Sequence, residues 1–193
     1  MAQAIYKGKR TNWSPGIDLP AISTDLDSVR AYQFEVHFDS TMTNRAENLT
    51  LAAKQVSQVG MSVEDIVIDR VNDRVYYPGK PTPEEITITF DNLIKDEPSA
   101  ELWSIFQNTY DPITGTLSAK APPAGSGQFK AQTMTIYQLT NDQSLRGFIQ
   151  CHGVWMKSWK AAEFNYSTNE FHTIEATFRY DFMGVADKSG LIL

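Results

Sequence analysis

Thr173-Ile174-Glu175-Ala176-Thr177-Phe178-Arg179-Tyr180-Asp181-Phe182 decides the fold class. In steps of two, Ile174, Ala176, Phe178, Tyr180 and Phe182 fall on one face, and Thr173, Glu175, Thr177, Arg179 and Asp181 on the other. Alternation sustained this long predicts an extended strand with one face buried and the other wet or against a polar surface. A 3.6-residue period would scatter the same apolar residues around a helix axis. The segment opens at Phe164 with the turn formers Asn165-Tyr166-Ser167-Thr168-Asn169-Glu170, which predict a hairpin partner upstream.

That partner is Leu145–Trp159, rich in apolar and aromatic residues, with Gly153 marking a bulge or a close backbone approach. Lys130–Leu139 precedes it, and Asn141-Asp142 marks the turn between them. Nearer the N-terminus, Ala31–Asp39 alternates Tyr32, Phe34, Val36 and Phe38 with Gln33, Glu35 and His37. Leu49–Val59 reads as a weaker strand, and Glu85–Asn92 as a clear one. Between those two, Val63–Tyr77 alternates around the charged centre Asp69-Arg70-Val71-Asn72-Asp73-Arg74, with a turn at Asn72-Asp73, and suits a projecting hairpin. Pro78, Pro81 and Pro83 predict a break after it, because each removes a ladder donor.

One helix is expected, from about Pro98 to Tyr110. Asp96 caps it, and Leu102, Trp103, Phe106 and Tyr110 form its apolar stripe. Residues 113–129 hold two prolines and three glycines and read as a long loop. The expected organisation is an arm over residues 1–30, a β domain over 31–183 and a tail over 184–193. The fold class is mainly β, either a barrel or two packed antiparallel sheets, with one helix on the flank.

The chain has 193 residues, 41% hydrophobic and 21% charged, enough for one sizeable ordered core. No apolar run reaches membrane-spanning length, and no apolar segment of the secretory kind follows Lys7, Lys9 and Arg10, which predicts a cytoplasmic start. A net charge of −6 argues against a protein that grips nucleic acid. The single cysteine, Cys151, has no internal partner for a disulfide. Cys151 and His152 are neighbours on one strand, so their side chains point to opposite faces, which suits neither a nucleophile–base pair nor a shared metal. His37 and His172 fall on other strands. The residues alone read as a β-rich domain that self-associates, without catalysis, metal or cofactor.

The ordered set Gly153-Val154-Trp155, Ala162-Glu163-Phe164-Asn165-Tyr166-Ser167-Thr168-Asn169-Glu170 and Thr173–Asp181 resembles the tail tube proteins of contractile-tailed bacteriophages. These are relatives of the inner tubes of contractile injection systems. A second match runs from Gln55 through Tyr77-Pro78-Gly79 to Ile86-Thr87-Ile88-Thr89-Phe90-Asp91, so the resemblance spans about four-fifths of the chain. It departs at Val59-Gly60-Met61, where a Pro-Gly turn is expected.

The resemblance implies a structural virion protein whose hexameric rings stack into the inner tail tube that conducts the genome during ejection. Asp69, Arg70, Asn72, Asp73, Arg74, Tyr76 and Tyr77 would contact the adjacent ring. Thr173, Glu175, Thr177, Arg179 and Asp181 would face the channel or a neighbouring subunit. The implied partners are copies of itself, a tail sheath outside, a tape-measure protein and then DNA inside, and a baseplate and tail terminator at the ends, with no membrane. A baseplate tube initiator or a bacterial injection-system tube would share the fold. A monomeric ligand-binding β-barrel is the reading of a different class, and would need a roomy apolar interior.

Overall fold

The computed structural model describes residues 29–39, 42, 46–95, 97–117, 133–167, 169–187 and 189–190. Nearly all of the expected arm, the capping residue Asp96, most of the 113–129 loop and Leu191-Ile192-Leu193 lie outside them. In chain order the elements are β1 (Phe34–Phe38), α1 (Ala46–Ala52), β2 (Ala53–Val56), β3 (Met61–Asp69), β4 (Arg74–Pro83) and β5 (Ile86–Asp91). There follow α2 (Pro98–Thr109), β6 (Tyr110–Asp111), β7 (Thr116–Leu117), β8 (Thr133–Leu139), β9 (Leu145–His152), β10 (Trp155–Ala161), β11 (Thr173–Arg179) and β12 (Phe182–Asp187).

Two antiparallel four-stranded sheets face each other, one ordered β1-β8-β9-β12 and the other β10-β11-β5-β2. They pack as two layers and do not close into a barrel. Their inner faces are the alternating apolar residues: Val36, Phe38, Met134 and Ile136 from the first, and Ile86, Ile88, Phe90, Ile174, Ala176 and Phe178 from the second, all buried. Phe38 bridges the layers, with its ring 6.1 Å from that of Phe90 and 5.7 Å from that of Phe178. Contacts of this kind hold sandwiches together by apolar burial and interdigitation.

The strand at the heart of the second sheet stops at Arg179. Ile174, Ala176 and Phe178 are fully buried and Tyr180 is 4% exposed, but Phe182 is 57% exposed and does not belong to the core. The reason is a corner. β9–β12 in one sheet and β10–β11 in the other form one long ribbon that bends between layers at Gly153 and Asp181, where the Asp181 N–H donates to the His152 carbonyl at 2.9 Å. Gly153 has φ +68°, and a Cβ there would stand 2.5 Å from Asp181 Oδ2, so glycine fits both the conformation and the close approach. Past the corner the faces exchange roles, and Phe182 stacks on His152 at 4.7 Å on the outside of the first sheet. β12 pairs with β9 through Asp187, so the segment expected as a tail from residue 184 begins as an edge strand.

Two helices are present among the described residues, where one was expected. Ala46–Ala52 is helical, although Leu49–Val59 reads as a strand; only Ala53–Val56 is extended there. Leu49 and Ala52, three apart on one helical face, are buried, while Leu51 is exposed. In α2 the buried residues are Pro98, Leu102 and Ile105, with Trp103 partly exposed. Its N-cap residue is Glu97, in the left-handed region with no side-chain cap. Trp103 meets Trp159 of β10 edge-on at 5.6 Å, so α2 covers that edge of the second sheet. No described helix is long and apolar enough to cross a membrane.

Candidate assembly surfaces

The ribbon of β2 and β5 does not end with its sheet. Ser57 N–H donates to the Thr87 carbonyl and Glu84 N–H to the Gly60 carbonyl, and the ladder then continues as β3 and β4. The result is a two-stranded arm about 27 Å long, from nine residues at strand rise. The three prolines do not break it. Pro78, Pro81 and Pro83 pair with Asp65, Val63 and Met61, alternate residues of β3. An extra residue in β4 between Pro78 and Pro81 keeps all three in the phase whose backbone nitrogens point away from the partner strand, so no ladder bond is lost. Gly79 sits in that bulge, where a Cβ would lie 2.6 Å from the Glu64 carbonyl oxygen.

Every residue of β3 is exposed. Cross-strand pairing puts Ile66, Ile68, Val75 and Tyr77 on one face and Val67 and Tyr76 on the other, among Asp65, Asp69 and Arg74. Ile66, Val67 and Tyr76 are about half exposed and Val71 is 99% exposed. The tip closes over Val71-Asn72, one residue before the expected Asn72-Asp73 turn, with Arg70 N–H donating to the Asp73 carbonyl at 2.8 Å. Arg74 Nε donates to Asp69 Oδ1 at 2.5 Å. The arm thus gathers Asp69, Arg70, Asn72, Asp73 and Arg74 at its tip, while Tyr76 and Tyr77 project from opposite faces of its shaft. A ribbon with apolar residues on both faces and, among the described residues, nothing over either is marginal in water alone.

Its root is fastened to the body. The Tyr180 hydroxyl donates to the Gly60 carbonyl, and Arg179 Nη1 to the Pro83 carbonyl at 3.4 Å. Arg179 and Lys157 both hold Glu85. The Lys157 hydrogen bond above all, aided by Arg179, keeps the Glu85 carboxyl below its usual range.

The polar face of β11 lies on the outside of the second sheet. Thr173 stands opposite Asp91, Glu175 between Lys160 and Thr89, and Thr177 Oγ1 lies 3.2 Å from Thr87 Oγ1. Asp181 does not join this face, because it sits at the corner against Gly153. Lys54, Lys157, Lys160 and Arg179 meet Asp91, Glu85 and Glu175 there, so this wall interleaves four cations with three carboxylates and is not acidic.

Chemistry-bearing residues do not converge. Cys151 is buried and burial pushes its thiol up to about 12, while His152 faces outward beside Phe182. Among the described residues no three His, Cys, Asp or Glu side chains gather as a metal site. Sequence reasoning missed the loop between β10 and β11, where Phe164, Tyr166 and Phe171 are all exposed. Their signal was aromatic residues scattered among turn formers.

The sequence matches no protein-family model and no curated protein. The fold does have counterparts. A chain of the sheath–tube complex of an extracellular contractile injection system, PVC, in its extended state superposes with TM-score 0.64 at 14% identity, covering 89% of this chain and 99% of that one. The tube-terminating cap of the anti-feeding prophage gives 0.62 at 12% identity, covering 91% and 98%. The baseplate of the same prophage, six-fold symmetrised, gives 0.62 at 9% identity, covering 82% and 95%. This is the fold of contractile injection-system tube components. At these identities the likeness is one of fold, and it spans both sheets and nearly the whole of each counterpart.

Proposed function

We propose that this protein is the repeating subunit of the inner tail tube of a contractile-tailed phage. Six copies close into a ring, rings stack into a hollow tube, and the tube conducts the genome during ejection. The observation that carries this reading is the two-stranded arm, bare on both faces and tied at its root, on a body with the tube-component fold. Such an arm is completed by a neighbour. The edge strands β1 and β12 of the first sheet are in position to pair between copies and so remove free edges. A sheath surrounds the tube, a tape-measure protein and then DNA occupy it, and a baseplate and terminator close its ends. If the polar face of β11 lines the channel, the carboxylates interleaved with its cations let phosphates pass without a dense cationic grip.

Electron microscopy of the purified protein over a concentration series tests the reading. Rings and tubes are expected; a protein that stays monomeric at high concentration overturns it. One counterpart above comes from an extracellular contractile injection system, which favours as a second reading the tube of such a system. Particles isolated from the native source separate the two: tails joined to DNA-filled heads support the phage tube, and headless tails support the injection-system tube.

A further inference from the structure

Two bare surfaces among the described residues stand at opposite ends of one strand. β5 pairs with β11 from Ile86–Phe178 at one end to Asp91–Thr173 at the other, a span of about 17 Å at strand rise. The β3–β4 arm leaves from the first end. The loop over residues 162–172 closes the second, where Asn92 N–H donates to the His172 carbonyl at 3.0 Å. That loop carries Phe164, Tyr166 and Phe171, exposed by 82%, 111% and 91%, and Phe164 and Phe171 line a cleft of 330 Å³. Phe164 stacks on His172 at 4.4 Å, which holds one wall of the cleft in place. Large aromatics at this exposure are the composition of a partner surface.

Charge points to the same pairing. The loop's carboxylates, Glu163 and Glu170, face no lysine or arginine within it. At the arm's tip Arg74 is engaged by Asp69, while the Arg70 guanidinium has no side-chain partner among the described residues.

We propose that these surfaces are the two halves of one head-to-tail contact: the arm of each copy docks on the 162–172 loop of a copy in the adjacent ring. The apolar side chains of the arm cover the loop aromatics, and Arg70 meets Glu163 and Glu170. The proposal rests on the stacked-ring reading and names the receiving surface within it. A contact between different patches at opposite ends can repeat from ring to ring without closing, as an axial stack requires.

The test is a cysteine pair, Val71→Cys with Tyr166→Cys, in the full chain; the native Cys151 is buried and does not compete. Oxidised tubes of the double variant should give a covalent ladder that extends beyond six subunits, and neither single variant should. In parallel, Arg70→Glu should lower tube yield about tenfold, and Glu163→Arg with Glu170→Arg in the same chain should restore it. Circular dichroism of each variant confirms the fold. Tubes without a ladder, a ladder capped at six, or cross-linking by one single variant overturns the docking while leaving the tube reading intact. Failure of the unmodified protein to form rings or tubes removes both.

Discussion

Tyr180 and Gly60, 120 residues apart, are joined by one hydrogen bond of 2.5 Å from the phenol to the backbone carbonyl. The bond ties the last buried residue before the corner to the point where the arm leaves the body. It fixes where the arm points. Tyr180→Phe keeps the ring and removes the bond, leaving a carbonyl at the arm's root without its phenol partner. The expected cost is about 1–2 kcal/mol, seen as a fall in Tm of about 2–8 °C. Thermal unfolding monitored by circular dichroism checks it, and an unchanged Tm would remove Tyr180 from this role.

Glu85 fastens the same root from the wet side through Lys157 and Arg179. Glu85→Gln should raise amide exchange across residues 61–83 while the core strands stay protected, because the bonds lost hold only the arm. The pH dependence has a definite sign. The folded-state pKa is depressed from 4.5, so the stabilisation is complete above that value and disappears as pH falls through the lower folded value. Hydrogen exchange should therefore show the arm loosening at acid pH in the unmodified protein. In the Gln variant that pH dependence should be missing.

How much of this was written in the residues depends on how far each pattern reaches. Strands that stay in one sheet, such as Ile86–Asp91, alternate from end to end and are legible. The corner at Tyr180–Asp181 is not, because a strand that changes sheet keeps its alternation in sequence while its inner face becomes outer. Phe182 reads as core for that reason. The helix Ala46–Ala52 spans two turns, too short for a period to declare itself beside the strand it runs into. The prolines of β4 argue against a strand until the bulge at Gly79 is known to keep them in one phase. Asp69–Arg74 is legible as a hairpin tip, but the fastening of its arm to Tyr180 and Arg179 at the far end, the root, is tertiary and leaves no local trace. Arg179 reads as a residue of the channel or of a subunit interface, and nothing in the sequence signals that its guanidinium also donates to Pro83 and Glu85.

Two glycines should respond differently to alanine. At Gly153 the backbone is left-handed and the corner joins both sheets, so Gly153→Ala should lower global stability by about 1–2 kcal/mol. At Gly79 the obstacle is the Glu64 carbonyl, and only the arm is at stake. Gly79→Ala should leave Tm nearly unchanged but raise amide exchange in 61–83 and reduce tube formation. Equal loss of Tm in both variants would contradict the separation of arm and body.

Burial of Cys151 predicts an alkaline weakness. The thiol titrates near 9.0 in the unfolded chain and is pushed up to about 12 in the fold, so above pH 9 the unfolded state loses its proton first. Stability is full below that pH and falls as pH rises towards 12. Cys151→Ala removes this titration. Its denaturant midpoint should be lower at neutral pH, from the lost packing, but should decline less steeply between pH 9 and 12. Parallel declines in the two proteins would assign the alkaline loss to other groups.

The arm's tip separates folding from assembly most sharply. Asp73 and Arg74 are exposed, and the Arg74–Asp69 pair contributes at most about 1 kcal/mol, as surface pairs do. Reversing both, Asp73→Lys with Arg74→Glu, should leave monomer Tm within about 2 °C of the parent. In the proposed stack of six-membered rings, by contrast, a residue that meets another ring would act at six sites per layer, and like-charge contacts there would repeat along the whole stack. Tube growth followed by light scattering should slow by about tenfold or more, with short stacks or single rings in micrographs. Normal polymerisation of this variant, with normal folding, would move the ring-to-ring contact away from residues 69–74 and onto another part of the arm.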